Sequence, residues 1–387
     1  MLKRFSSFSS TLLLAMSSLT ITSLTSQPPP VFDVVVIGSG ISGLLTAELV
    51  LGSMPATKVL VVKKSTQIGG RAKIISQNSP FDLGGAWTWS DQRLNALTKR
   101  LGIEKFKQPS DGVDVILQDL YGGGQRQLLN TGGQLLACGP GAERLQGGVG
   151  GVPVKLAEEV VKRGGEVRLS TSVTKIGLNN DIVTLNDSIQ TKFVVIAAPP
   201  QMIATHINFS PPLPSKQTSS MLSTQTWMYN TGKAIVEYDK PWWKEGEGKL
   251  SLCSSGTSRL GGHVEVTWDN SDYGNGKYAI GMFVKEGANE ENVRAEIAQI
   301  FGSDGDKIKG ITGVDVKIWS DVGVPGGSPA TYGSRILREE HLEGRVVFSG
   351  TETEDEHGHI EGAVISGERA AETIIAKLKG EMKAEEL

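Results

Sequence analysis

The sequence predicts an α/β protein: a Rossmann-like, three-layer unit assembled from separated segments, with a smaller α+β unit between them. Three observations predict it. Val31 to Ile37 is an almost unbroken β-branched run, the pattern of a strand buried on both faces of a parallel sheet, and it leads straight into Gly38-Ser39-Gly40-Ile41-Ser42-Gly43. Leu44 to Leu51 then reads as helix and Lys58 to Val62 as a second strand, which completes a β-α-β unit in about thirty residues. At the far end Val346 to Phe348 reads as a buried strand. A Gly-rich loop and a helix follow, with Ile360, Ala363, Val364, Gly367, Ala370, Ala371, Ile374 and Leu378 on one apolar face.

The glycines of the first turn have separate tasks. Gly38 permits the tight turn, Gly40 clears the backbone for a pyrophosphate, and Gly43 lets the helix pack closely on the strand. The pyrophosphate is expected at the helix N-terminus, where free N–H groups and the dipole favour an anion, and Ser39, Ile41 and Ser42 are expected among the cofactor-binding residues. The second strand departs from the pattern. An acid is expected at its end to accept from the adenosine ribose, and Lys63-Lys64 stand there instead. A base at that place suits a 2′-phosphate, so this motif alone leaves the choice between FAD and NADP open.

Between the two ends, Asp91 to Leu101 reads as helix and Val113 to Leu129 as a hairpin turning on Gly122-Gly123-Gly124. An amphipathic helix to Arg163 follows the glycines of 147–151. Phe193 to Ala198 is an apolar strand. Ala234 to Tyr238, His263 to Trp268 and Tyr278 to Val284 read as strands, and Glu290 to Phe301 as helix. The expected division is a segment 1–30 outside the fold, a nucleotide-binding domain of 31–105, 148–222 and 320–380, and a second domain of 106–147 and 223–319.

Composition narrows the function. Glycine makes up 48 of 387 residues, about 12% against a usual ~7%, without any Gly-X-Y period. The net charge of −3, with both signs interspersed, excludes a basic nucleic-acid surface. Two cysteines, Cys138 and Cys253, permit at most one disulfide and exclude a zinc ribbon or a C-x-x-C redox pair. Met1 to Pro30 has Lys3, Arg4, an apolar run Leu12 to Met16 and no acid, like a secretory or organellar targeting segment. Its apolar run is too short to cross a bilayer, and no transmembrane anchor is expected elsewhere. Sequons at Asn186 and Asn208 suit the secretory route.

Two further stretches, Ile68-Gly69-Gly70-Arg71-Ala72 and Phe81-Asp82-Leu83-Gly84-Gly85-Ala86-Trp87, carry a family resemblance. So does the C-terminal block Gly350-Thr351-Glu352-Thr353, Gly358-His359-Ile360-Glu361-Gly362-Ala363. Together they resemble the flavin-containing amine oxidase family, the monoamine oxidases among them, over roughly residues 31 to 378 with gaps and with a shortened substrate domain. The resemblance implies FAD as cofactor. It places Gly70 and Arg71 near the pyrophosphate, and Gly84, Gly85, Ala86 and Trp87 near the flavin ring. Val173 falls at adenine, and Gly350, Thr351, Glu352, Gly358, His359, Ile360 and Ala363 in the segment that closes over the flavin. It assigns Lys233 to a water beside flavin N5, and sets Trp319 and His359 at the border of the ring. Lys233 stands alone among apolar residues of a strand, where a buried amine is costly without a function or a partner.

Several positions depart from the family. Ser328 stands where the mammalian monoamine oxidases have a cysteine bonded to FAD, so non-covalent FAD is expected. Pro329 and His359 stand where those enzymes flank the amine with two aromatic rings. The stretch between Trp87 and Gly147 is short, which suggests an open substrate site. The acids around His357 and His359, Glu352, Asp355 and Glu356, are read as a solvated loop, and the two histidines not as a metal site.

The reading is an FAD-dependent oxidoreductase that turns a small-molecule amine, dioxygen and water into a carbonyl compound, an amine or ammonia, and hydrogen peroxide. Three alternatives stay beside it: a flavin desaturase or dehydrogenase on a non-amine substrate, an NADP-dependent dehydrogenase, and a non-catalytic FAD-binding protein in a complex. Oligomeric state is not encoded in any feature of the sequence.

Overall fold

The structure, a computed structural model, describes residues 30–76, 78–118, 125–129, 141–226, 231–245, 249–253, 261–302, 306–320, 335–355 and 358–385. Residues 1–29, which cover nearly all of the expected targeting segment, and Gly122 to Gly124, Cys138, Ser328, Pro329, Glu356 and His357 lie outside the described residues.

The first half contains β1 (Val31–Ile37), α1 (Ile41–Ser53), β2 (Val59–Val62), α2 (Gln92–Arg100), β3 (Lys105–Lys107), β4 (Asp114–Gln118), β5 (Gln125–Leu129), β6 (Glu143–Leu145), α3 (Gly151–Lys162), β7 (Glu166–Arg168), β8 (Lys175–Asn179), β9 (Ile182–Leu185) and β10 (Ile189–Ala197). The second contains α4 (Pro200–His206), β11 (Asn208–Ser210), α5 (Ser215–Ser223), β12 (Gly232–Tyr238), β13 (Val264–Asp269), β14 (Tyr278–Val284), α6 (Glu290–Phe301), α7 (Asp306–Lys309), β15 (Ile311–Ile318), α8 (Arg335–Arg338), β16 (Val346–Ser349) and α9 (Ile360–Glu385).

The β-branched run of β1 is buried because it has parallel neighbours on both sides, β2 and β10. The parallel part of the sheet runs β7-β2-β1-β10-β16. β10 is long enough to serve two partners on one edge. Residues 189–191 pair antiparallel with β9, and 194–197 pair parallel with β16. Period-two alternation then sorts the side chains of β1. Val34 and Val36 pack under α1, α3 and α9 with Leu44, Val152, Leu156, Val364 and Ile374. Val35 faces the other way, toward Ile176, Val183 and Leu185 of the β8–β9 hairpin. Helices, parallel sheet and antiparallel strands make the three layers.

The second sheet is antiparallel in the order β13-β14-β12-β15. Val293, Ile297, Ile300 and Phe301 of α6 cover it, together with Trp242 and Trp243. Asn289 caps α6 in a reciprocal capping box with Asn292. β12, β13, β14 and α6 stand where the sequence pattern predicts them, whereas β15 is not predicted by it. The hairpin read over 113–129 is present as β4 paired with β5. Cys253 is disulfide-bonded. Among the described residues no helix is long and apolar enough to cross a membrane.

α1 and α9 meet closely. The Thr46 hydroxyl donates to the Gly367 carbonyl at 3.1 Å, and a Cβ on Gly367 would lie 2.8 Å from the Ser42 carbonyl oxygen. Gly380, on the same helix, faces open space. Replacing both glycines by alanine separates propensity from packing. Gly380→Ala is expected to stabilise by up to about 1 kcal/mol. Gly367→Ala is expected to destabilise by about 1–3 kcal/mol through overpacking. Denaturant midpoints of the two variants check both signs.

Candidate functional site

The site is built around the turn after β1. Gly38 has φ +116° and approaches β10 so closely that a Cβ would lie 2.3 Å from the Ala197 carbonyl oxygen. A Cβ on Gly43 would lie 2.2 Å from the Gly38 carbonyl oxygen. Both glycines are therefore fixed by protein packing. Gly40 is different. Its φ of −77° suits any residue, and a Cβ there meets nothing within 4 Å. Neither backbone nor packing requires that glycine, which leaves approach of a ligand as the reason for it. The α1 amino end, at Gly40, has no side-chain cap and no acid in its first turn. Its first N–H groups lack intrahelical acceptors by geometry. The wholly buried Ser39 hydroxyl has no hydrogen-bond partner among the described residues. Open space, free donors and an orphaned hydroxyl fit a dinucleotide pyrophosphate at this turn.

The Gly69-Gly70-Arg71 segment lies against it. The Gly69 N–H donates to the Ser39 carbonyl at 2.9 Å. Arg71 does not stand free for phosphate. Its guanidinium makes a forked pair with the buried Glu352 carboxylate, which joins the first Gly-rich segment to the last. Lys63 is half-buried at the end of β2, and burial and the Arg71 charge push its ammonium below the ordinary lysine range. Val173 is buried in the same apolar cluster as Val62.

Residues 82–87 form a turn held from several sides. The Leu83 N–H donates to the Lys73 carbonyl at 2.8 Å, and the Gly85 N–H to the Arg71 carbonyl at 2.9 Å. Trp319 Nε1 donates to the Leu83 carbonyl at 2.8 Å. Lys233 Nζ donates to the Gly84 carbonyl at 2.5 Å. A Cβ on Gly84 would lie 1.7 Å from the Arg71 carbonyl oxygen, and one on Gly85 would touch Ile360 at 3.3 Å. Ala86 is buried. The structure thus brings Arg71, Gly84, Gly85, Lys233, Trp319 and Ile360 together at one place.

Lys233 projects from β12 and is only 5% exposed. Its ammonium lies 4.4 Å from the ring centre of Trp87, 5.3 Å from Trp268 and 5.6 Å from Phe283. Trp87 packs edge-on to Trp268 at 4.9 Å and donates through Nε1 to Gln108 at 2.9 Å. Burial is the main reason that the lysine is pushed down to about 7; Asp82 opposes that fall and Arg144 adds to it. Trp268 and Phe283 had no signal as site residues in the sequence, since strand pairing brings them to Lys233; Asp82 stood inside a glycine motif, and Arg144 reaches it from a distant segment.

The C-terminal block closes the other side. Gly350 has φ +126°, its N–H donates to the Ser366 hydroxyl at 3.1 Å, and Thr351 donates to the His359 carbonyl at 3.0 Å. Gly358 has φ +75°. Ala363, on α9, packs against the helical core cluster. His359 is exposed, with its ring 6.3 Å from that of Trp89. No group of three metal-ligating side chains occurs among the described residues.

Residues 115–375 match the family described as flavin containing amine oxidoreductase, and residues 36–101 match an NAD(P)-binding Rossmann-like domain. An L-amino acid dehydrogenase of Synechocystis sp. is 24% identical over 464 residues, covering 89% of this chain and 95% of that protein. The flavin-containing amine oxidase B of Canis lupus familiaris is 28% identical over 318 residues; the match covers 75% of this chain but only 57% of that enzyme. Among solved structures, wild-type putrescine oxidase bound to putrescine has a TM-score of 0.68 at 19% identity, covering 90% of this chain and 100% of the other. Cyclohexylamine oxidase from Brevibacterium oxydans has 0.67 at 19%, with the same coverage. At these identities the structural likeness carries the fold alone.

The lysine makes a prediction about stability. Below pH about 7 the folded and unfolded chains both hold its proton, so the folded state bears the full cost of a buried ammonium. From about 7 to the ordinary 10.5 only the unfolded chain holds the proton, and stability rises with pH. Lys233→Met removes the term. The advantage of the Met variant in denaturant midpoint is expected to be flat below pH 7 and to shrink steadily by pH 9.5. A gap independent of pH would mean that the amine reaches water.

Proposed function

This chain belongs to the flavin containing amine oxidoreductase family, with FAD as its cofactor, and from that premise we propose that it oxidises a small-molecule amine and passes the electrons to dioxygen. The observation that carries this reading is the desolvated Lys233 amine, boxed by Trp87, Trp268 and Phe283 and tied to the Gly84 carbonyl.

When bound, FAD supplies the acceptor for the hydride equivalent that leaves the amine-bearing carbon. The chain's own residues do the rest. Gly38 to Gly43 and the α1 amino end hold the pyrophosphate, with Lys63 and Val173 at the adenosine end. Arg71 and Glu352 lock the two Gly-rich segments around it, and Gly84 to Trp87, Trp319, Ile360 and Ala363 shape the place of the ring. His359 borders the opening beside Trp89. Residues 31–105, 148–222 and 320–380 serve the cofactor in this scheme, and 106–147 and 223–319 the substrate.

Lys233 is the acid–base group. An amine gives up hydride only as its free base. A lysine poised near neutrality inside a dry site takes the extra proton or holds a water in position to do so. The products then balance as carbonyl compound, ammonia or smaller amine, and hydrogen peroxide.

A second reading replaces dioxygen by another electron acceptor. The match to an L-amino acid dehydrogenase over 95% of its length favours it. An amino acid also needs a cation for its carboxylate. Arg144, the guanidinium whose charge acts on Lys233, is already committed to Asp82 and Asn270, which favours amines without a carboxylate.

The protein purified without residues 1–30 is expected to show a flavin spectrum. Acid precipitation is expected to leave the flavin in the supernatant, since Ser328 offers no thiol. A panel of alkylamines is expected to bleach the flavin anaerobically and to yield peroxide in air. Lys233→Met is expected to slow anaerobic bleaching by about 10²-fold. Bleaching without peroxide in air, with turnover restored by a quinone, would select the dehydrogenase reading. A flavin that no amine bleaches would sink both.

A further inference from the structure

Asp82 and Arg144 are buried, charged and unused by the chemistry above. Asp82 lies in the turn that holds Gly84, beside an apolar cluster of Phe81, Leu83, Ile235 and Ala279. Its Oδ2 accepts the Val149 N–H at 3.1 Å, and its Oδ1 accepts the Gly150 N–H at 3.2 Å. The Arg144 guanidinium, on β6, lies 3.6 Å from Oδ2. Burial pushes the Asp82 carboxyl upward, against the pull of Arg144, Lys233 and the two N–H groups. Every partner is a donor, however, and a donor-only setting suits the ionised acid, which can only accept.

The same two groups close a ring of contacts with Lys233. Arg144 also donates to Asn270 Oδ1, which accepts Trp268 Nε1 at 2.9 Å. Trp268 is one wall of the lysine box, and Lys233 bonds the Gly84 carbonyl, two residues beyond Asp82. Arg144 Nε and Asn270 Nδ2 remain without partners among the described residues, so the ring is not saturated. In a medium of low dielectric such a ring is sensitive to each charge in it. The other charges nearby are Asp269 and Asp272, which act on Arg144, and Lys317, opposite Lys233 on β15 with its ammonium over Trp319.

We propose that Asp82 and Arg144 are a positioning pair that tunes the charge of the buried Lys233, and with it the pH range in which this enzyme works. The proposal rests on the reading that Lys233 acts beside the cofactor. Asp82 holds the proton on Lys233 and Arg144 drives it off. The pair acts through the lysine without touching substrate.

The test follows one titration in two ways. Anaerobic amine-dependent bleaching is measured against pH, and so is the gap in denaturant midpoint between each protein and its Lys233→Met partner. The second needs no turnover, so it reads the proposal even if amines prove not to be the substrate. Wild type is expected to show the same limb near pH 7 in both. Asp82→Asn keeps the shape and one acceptor oxygen while removing the charge, and should move both limbs down by at least half a pH unit. Arg144→Gln should move both up, and Arg144→Lys should return them toward wild type. Should Arg144→Gln fail to fold, Asp82→Asn and Arg144→Lys still decide. Limbs that stay in place in Asp82→Asn, or that move up, overturn the proposal. A midpoint gap that shifts as expected while no amine bleaches the flavin upholds the pair and overturns only the amine reading.

Discussion

A lysine that is 5% exposed has to find something to hold its charge, and the second sheet is organised around that need. Lys233 finds three aromatic faces and one carbonyl, that of Gly84. The carbonyl belongs to the turn bonded to Arg71 and packed on Ile360 of α9, so this contact joins the antiparallel sheet to the nucleotide-binding layer. The turn can offer Gly84 only because its other groups are already engaged by Lys73, Arg71 and Trp319. Removing any one of those tethers would free a peptide that the lysine depends on.

The glycines show how one residue type answers two different constraints. Gly38, Gly43 and Gly84 stand where a Cβ would collide with a carbonyl oxygen of the protein, so packing accounts for them. Gly40 collides with nothing and adopts an ordinary φ. It is therefore evidence for a ligand in a way that its neighbours are not. The same separation applies to cations. Arg71 reads in sequence as a phosphate-binding group, yet it is paired with buried Glu352, whereas Lys63 stands just after β2 where an acid would be ordinary. On the proposed reading the charge that meets the dinucleotide comes from the α1 amino end and Lys63, with Arg71 partly neutralised by Glu352.

The parts of the fold written in local pattern were legible. A β-branched run reads as a buried strand because both of its faces must be covered, and β1 is covered on both. The glycine turn, the capped α6 and the apolar face of α9 were read for similar reasons. β15 was missed because Ile311 to Ile318 mixes Thr, Gly, Asp and Lys into an edge strand, where one side of the ladder imposes no demand. At the site, Lys233 was legible as a lone charge in an apolar strand. Its box was not. Trp268 and Phe283 reach it through the registers of β13 on β14 and β14 on β12, which no spacing in the sequence records. Asp82 stood within a glycine motif, and Arg144 lies on β6, a three-residue strand that no sequence pattern marks.

The box also bears on what the enzyme can admit. Positions 329 and 359 lack the aromatic pair that flanks an amine in the monoamine oxidases, while Trp87 and Phe283 are half-buried beside Lys233. Aromatic faces attract one cation well. Two ammonium groups about 4 Å apart repel by roughly 4 kcal/mol at a dielectric suited to protein interiors near the surface. On the proposed reading, lysine and substrate therefore share a single proton: a protonated amine enters only where Lys233 is neutral, and a protonated Lys233 admits only free base. A lysine held near pH 7 makes the first state available under neutral conditions, when almost every alkylamine in solution is charged. Burial of Lys233 thereby becomes a requirement of substrate entry as well as of proton transfer.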